Sequence, residues 1–517
     1  MAGKSSGQSA SINLLNTIIG AGILAMPYAL KADGILLGIF VIAFSACTSS
    51  FGLYLQGKCC KYVNDGEDAS FFALSQLTYP MLSVVFDLAI AVKCFGVGIS
   101  YLVVIGDLMP KIIESLINED YLIAHSVLLE RNFWITLFMI VIVVPLSFLK
   151  KLDSLKYASM IALSSVVYLV VLVVMHFWKD DIINKGPVRF IEPYSATSVF
   201  QSFPIFVFSY TCHQNMFSLV NELSDQSGRN INKVISMSIG IACALYILVG
   251  VTGYLSFGDN VEPNVIVGYS HSLSSTVGRI AIVILVMLSY PLQCHPARSS
   301  INHIIHYFQN FKEISRRPSI ATIKSKRSQS SNLSGSTPLM DSVSSPLLKS
   351  GALGTTPRSP SASSPAASNY VQTLRVASMS QPPLMQTVLN DNASSVLDMD
   401  DEYVEEGNIA VQPLKGKKFY ILTTLILIFS YAIAISVTSL ARVLAFVGST
   451  GSTSISFILP GIFGYQLIGS EYYSLNGYDG MPVQDRVTRY MALGLSVWGI
   501  LVMVICLSAT IFLGATH

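Results

Sequence analysis

Residues 11–30 read SINLLNTIIGAGILAMPYAL, and no charge occurs between Lys4 and Lys31. A run of that length and apolarity crosses a bilayer as a helix. Its centre argues against an unbroken one. Gly20 and Gly22 fall at mid-depth beside Thr17, with Asn13 and Asn16 just before them. Each glycine lowers helix stability by about 1 kcal/mol relative to alanine. A break frees N–H and C=O groups that lipid cannot satisfy, so broken backbone must line an enclosed cavity. There it can hold a charged ligand or an ion. The competing explanation is a small-xxx-small packing face between helices, and this segment alone leaves both open.

The rest of the chain supplies the setting. It has 517 residues, 52% hydrophobic and only 12% charged, with a mean hydropathy of +0.56. That composition belongs to a polytopic membrane protein. A net charge of +2 gives no case for nucleic acid as a partner. Most of the 8 cysteines lie inside apolar runs and none forms a C-x-x-C pair, so neither a disulfide framework nor a metal site is expected. The N-terminus lacks the charged n-region, short h-region and cleavage site of a signal peptide, so the first span is expected to act as the targeting signal.

After an Asp33-Gly34 turn, further spans are expected near 35–56, 81–109, 133–149 and 157–178. Others follow near 197–222, 234–255, 276–297, 419–440, 452–468 and 490–513, which makes eleven. The weakest boundary is 442–456, rich in Gly, Ser and Thr. Three regions result: spans one to eight over 1–299, a Ser/Pro/Thr-rich segment over 300–416, and the last three spans over 417–517. The middle segment reads as a disordered cytosolic loop, because it cannot bury enough apolar surface to offset its ordering entropy. Lys and Arg near the span ends favour a cytosolic N-terminus and a C-terminus on the opposite side. The sequons at Asn332 and Asn392 then face the cytosol and stay unglycosylated. Arg316-Arg317-Pro318-Ser319 and the Ser/Thr-Pro pairs at Thr337, Ser345, Thr356, Ser359 and Ser364 are candidate kinase sites.

A second anomaly lies in the sixth span, where Ser209-Tyr210-Thr211-Cys212-His213-Gln214-Asn215 interrupts an apolar run and Glu222 follows two turns later. Polar groups at membrane depth are costly and face cavities or partner helices. Spans one and six are the first members of two five-helix halves. Corresponding breaks in two halves point to an inverted-repeat transporter with a midplane site. Half-helix N-termini would aim their positive ends at an anionic group such as a carboxylate. His213 is a candidate proton carrier, against a neutral histidine bonded between helices. Glu222 is a candidate for gating or coupling, against a static ion pair. Lys93, inside the third span, is expected to satisfy Asp87 or broken-helix carbonyls. Ser289, before Tyr290-Pro291, can complete a cation site with Asn16 or bond back to its own helix.

At these residues the chain resembles a known family. SINLLNTIIGAGILAMPYALK is similar to the first helix of the amino acid/auxin permeases. GSTGSTSISFILPGIFGYQLIG at 448–469 resembles their tenth-helix signature, and SYPLQCHPAR at 289–298 the end of their eighth. SFFALSQLTYP, FGVGISYLVVIGDL and KKLDSLKYAS resemble, more narrowly, fungal vacuolar amino-acid transporters of the exporting subgroup. The resemblance implies an all-α, eleven-span fold like that of the bacterial leucine transporter, a 5+5 inverted repeat with broken helices 1 and 6. It implies that Thr17, Gly20, Ala21 and Gly22 bind the amino acid's carboxylate and amine, with Tyr210, Cys212 and His213 facing it. Asn16 and Ser289 match the sodium positions of sodium-coupled relatives, where the eighth-helix residue is usually Thr. Vacuolar members are thought to use protons, so no cofactor beyond a coupling proton is expected, with sodium the second choice.

The expectation is a proton-coupled secondary transporter exporting amino acids from the vacuole lumen to the cytosol, embedded in the vacuolar membrane. The alternative is an amino-acid sensor signalling through the 300–416 loop. An intramembrane enzyme built on His213 or His295 lacks a nucleophile–base pair, and a channel lacks a filter segment.

Overall fold

The computed structural model describes residues 5–63, 69–79, 83–149, 156–182, 184–195, 197–309, 416–473 and 480–512. They belong to one compact unit, made of residues 1–333 and 411–517. The candidate kinase sites and both sequons lie outside the described residues.

Helix α1, Gly7–Ile18, is capped by Ser6, whose Oγ accepts from the Ser9 amide. It stops at Ile19, which is extended (φ −82°, ψ 92°). Helix α2, Gly22–Asp33, resumes at an angle of 56° to it. Gly34 then turns the chain at φ +79°, a left-handed value that glycine adopts without strain. Helix α3 follows over Ile35–Cys59. Its first two amides, Ile35 and Leu36, donate to the carbonyls of Arg189 and Phe190 at 3.1 and 2.9 Å, so a later loop caps its start.

Helix α4, Ser83–Leu116, is the most enclosed span: 83% of its apolar window is buried inside the protein. It packs along α10, Leu273–Gln309. Between them come α5 over Arg131–Ser147 and α6 over Lys156–Lys179, the broken pair α7 (Ser198–Ser209) and α8 (Met216–Glu222), and α9 (Gly228–Phe257). Three helices end the chain: α11 over Lys417–Ser436, α12 over Leu440–Tyr472 and α13 over Val483–Phe512. Only 28% of the α13 window is buried, which puts α13 at the rim. Among the described residues there is no β-strand, and one isolated bridge joins Ser5 to Leu223. Through it the start of α1 is hydrogen-bonded to the end of α8.

Among the described residues eight helices are long and apolar enough to cross a membrane, and the bent pair α1–α2 brings the number to nine. The other two expected spans are α5, a shorter apolar helix, and the interrupted α7–α8. One expectation is corrected. The Gly/Ser/Thr stretch 442–456 is not a boundary but the buried first half of α12, wound through two π-helical turns at Gly448–Ser452 and Ser454–Ile458. Its small residues serve packing. A Cβ at Gly448 would lie 2.0 Å from the Pro204 carbonyl oxygen of α7, and one at Gly451 would lie 2.7 Å from the Lys93 amide of α4. In lipid, where apolar surface gains little by leaving the solvent, close backbone approach of this kind holds helices together.

Candidate functional site

The two breaks meet at one hydroxyl. Ile18 and Ser209 are the last residues of α1 and α7, so their carbonyls lack helical partners. Tyr246 of α9, fully buried, places its Oη 2.8 Å from both carbonyl oxygens. One phenol thus serves two helix ends at the depth where the chain is interrupted. A further tie joins the breaks: Asn215 Nδ2 donates to Thr17 Oγ1 at 3.2 Å, while Thr17 Oγ1 donates to the Asn13 carbonyl at 3.0 Å.

The glycines of the first break have different duties. A Cβ on Gly22 would stand 2.2 Å from Ser209 Oγ and 2.8 Å from Ser209 Cβ, so Gly22 lets the start of α2 touch the end of α7. This is the packing explanation, and it holds at that residue. Gly20 is different. The nearest atom to a Cβ there would be the Tyr101 hydroxyl of α4, 3.7 Å away, which is open space by comparison. Tyr101 Oη has no hydrogen-bond partner among the described residues. Ile23 and Leu24 donate to the carbonyls of Gly20 and Ala21. The amides of Gly20, Ala21 and Gly22 have no acceptor among the described residues. Three N–H groups without acceptors at the N-terminus of a twelve-residue helix can together donate hydrogen bonds to an anion's oxygens.

The second break is longer and more heavily braced. Ser49 Oγ of α3 donates to the Tyr210 carbonyl at 3.3 Å, and Thr211 Oγ1 donates to Val207 at 2.7 Å. His213, fully buried, has Nε2 3.1 Å from the Ser49 carbonyl oxygen and Nδ1 3.1 Å from Ser456 Oγ of α12. A carbonyl only accepts, so Nε2 carries a hydrogen, while Ser456 Oγ donates to Thr211 Oγ1 at 3.3 Å. The imidazole is bound on both sides, tying α3 and α12 to the break. Cys212 is buried with a free thiol. Tyr210 is buried with its ring edge-on to Tyr246 at 5.1 Å, and its hydroxyl has no hydrogen-bond partner among the described residues.

Lys93 is 3% exposed and lies within electrostatic reach of Cys212 and His213. It does not pair with Asp87, which instead lies 3.2 Å from His303 Nδ1 of α10. Asn16 and Ser289 are half-buried and make no hydrogen bond to each other or to other described residues. The back-bond once open to Ser289 does not form; its neighbour Tyr290 instead bonds Ser430 of α11 at 2.5 Å. Glu222 is exposed at the end of α8, and its backbone oxygen, not its carboxylate, is engaged, with the Ser5 amide. The structure thus gathers Thr17, Gly20, Ala21, Gly22, Tyr210, Cys212 and His213 around the breaks and leaves Glu222 at the surface. Among the described residues no cluster of His, Cys, Asp and Glu suits a metal ion. Sequence reasoning missed Tyr246, Tyr101, Ser49 and Ser456. For Tyr246 the available signal was a lone hydroxyl within an apolar run; Ser49 and Ser456 sit among other Ser and Thr residues, and Tyr101 follows Ser100.

The site can be set beside known proteins. The family model described as transmembrane amino acid transporter protein matches residues 3–505. Vacuolar amino acid transporter 6 of Saccharomyces cerevisiae is 42% identical over 512 residues, covering 98% of each chain. Vacuolar amino acid transporter 5 of Schizosaccharomyces pombe is 36% identical over 510 residues, 98% of this chain and 95% of its own. Human sodium-coupled neutral amino acid transporter 7 is 28% identical over 295 residues, 56% of this chain and 63% of its own. Among solved structures, that of MhsT in complex with L-phenylalanine superposes with a TM-score of 0.52 at 11% identity, over 99% of this chain and 100% of MhsT. That likeness is one of fold, the leucine-transporter fold.

Proposed function

The chain belongs to the family of transmembrane amino acid transporter proteins, and on that premise we propose that it carries amino acids from the vacuole lumen to the cytosol together with protons. Membership makes it a multi-pass transporter and removes the intramembrane enzyme from consideration. The observation that carries the proposal is the pair of helix breaks joined at Tyr246, with the amides of Gly20, Ala21 and Gly22 free beside them. An amino acid's carboxylate takes those amides. Its ammonium takes the helix-end carbonyls, where the negative ends of α1 and α7 point. Tyr101 faces the same space.

The vacuolar site of action rests on the yeast relatives' names. An eleven-span count, with α5 and α7–α8 as the shorter spans, puts the termini on opposite sides, and the Lys and Arg near the span ends favour a cytosolic N-terminus and a lumenal C-terminus. Acid in the lumen makes proton movement toward the cytosol downhill, so coupled export needs no other energy source.

The test is efflux of labelled amino acids from sodium-free vesicles holding the purified protein, with the interior buffered acidic or neutral. Efflux that rises with interior acidity supports the proposal. Efflux that ignores pH and appears only with sodium overturns the coupling, and no efflux of any amino acid overturns transport.

A further inference from the structure

Asp33 ends α2, is 0% exposed, and lies where α2 meets α7. Ser202 Oγ of α7 donates to Asp33 Oδ1 at 2.6 Å, and Asp33 Oδ2 is buried with no partner among the described residues. Around it the seam is closed by backbone contacts: Ser198 Oγ and the Tyr194 amide both donate to the Ala32 carbonyl, at 2.8 and 2.9 Å. No cation among the described residues pairs with it. Lys31 lies over the Tyr28 ring, and Arg189 of the loop before α7 pairs with Asp259 beyond α9. Tyr254 of α9 donates to that same Asp259. Glu192 and Arg442, at the facing loop and the start of α12, are exposed.

An ionised carboxylate sealed in this way, with one oxygen lacking any donor, costs several kcal/mol or more. The neutral acid does not, and Oδ2 is the oxygen left to hold its hydrogen. We propose that Asp33 is a proton-binding site of the lumenal gate: the seam between α2 and α7 closes only when a lumenal proton has bound this carboxyl. Parting α2 from α7 opens the group to the lumen, where it ionises. An acid lumen shifts the population toward the closed gate by mass action. The proposal rests on the lumen-to-cytosol reading above, and it adds the group through which lumenal pH is felt.

Two readouts test it. In the vesicle assay, Asp33→Asn keeps the Ser202 hydrogen bond and mimics the protonated acid. Its efflux should persist yet vary less than about twofold over the lumenal pH range in which wild-type efflux varies about tenfold, as one titrating group allows. Ser202→Ala removes a donor that favours the ionised form, and should move the wild-type midpoint to higher pH by about half a unit or more. The second readout does not depend on flux. Infrared difference spectra of the purified protein at neutral pH should show a protonated-carboxyl stretch that is absent from Asp33→Asn and displaced in Ser202→Ala. Wild-type pH dependence retained in Asp33→Asn, or a carboxyl band unaltered in both variants, overturns the proposal. Wild-type efflux that itself ignores lumenal pH overturns the gate together with the coupled-export reading, whereas pH dependence retained in Asp33→Asn overturns the gate alone.

Discussion

The two helix breaks carry opposite chemistry. Residues 19–21 form a short gap without a polar side chain, and the amides of Gly20, Ala21 and the following Gly22 have no acceptor among the described residues. Residues 210–215 form a longer gap crowded with polar side chains, of which Thr211, His213 and Asn215 are hydrogen-bonded, while Tyr210 and Gln214 have no partner among the described residues. Ser49 and Ser456 bond the second break from α3 and α12, and His213 is bound at both ring nitrogens. The first break leaves backbone amides open, whereas the second is hydrogen-bonded to the neighbouring helices. We propose that the polar break is the brace and the quieter glycine gap the binding surface.

The largest expected effect tests closeness at the first break. Gly22→Val drives a branched side chain into Ser209 and should abolish transport, with little folded protein recovered by gel filtration in detergent. Recovery of folded, active protein would show that α2 does not rest on α7. Next comes the brace. His213→Ala removes two buried hydrogen bonds and leaves a cavity, a loss of about 3 kcal/mol seen as a lower melting temperature. His213→Gln should recover much of that stability and keep wild-type pH dependence. A flat pH profile in His213→Gln would make the histidine the proton carrier and break the comparison.

Tyr246→Phe removes the hydroxyl shared by both breaks. It should cost about 1–2 kcal/mol in thermal stability and slow efflux, because two buried carbonyls lose their donor. The smallest effect belongs to Ser289→Ala: sodium-free efflux should stay within about twofold of wild type, since Ser289 bonds nothing in the described structure. A tenfold loss would restore the Asn16–Ser289 pair as a working cation site.

Much of this architecture was legible in the chain. Hydropathy located the long spans, and the glycines of IGAG located the first break to within a residue. The duties inside the site were not legible, for physical reasons. His213 finds Ser456 across 243 residues of sequence, and its other partner is a backbone carbonyl, which no side-chain pattern reports. Gly20 and Gly22 read alike in sequence, and only the neighbours of each, Tyr101 and Ser209, separate an open glycine from a packing one. The stretch 442–456 read as a boundary because small polar residues disfavour helix in water, while burial against α4 and α7 reverses that preference. Asp33 read as half of a turn. Its burial against Ser202 depends on a helix more than 160 residues later.

The most direct test measures the amino-acid concentration dependence of acid-driven efflux for Gly20→Ala and His213→Gln beside wild type. The account predicts that Gly20→Ala, which has room for its methyl group, melts like wild type but raises the half-saturating concentration about tenfold. His213→Gln should melt lower and saturate at the wild-type concentration. The reverse pattern, with affinity lost at His213 and unchanged at Gly20, would contradict the assignment of binding to the first break and bracing to the second.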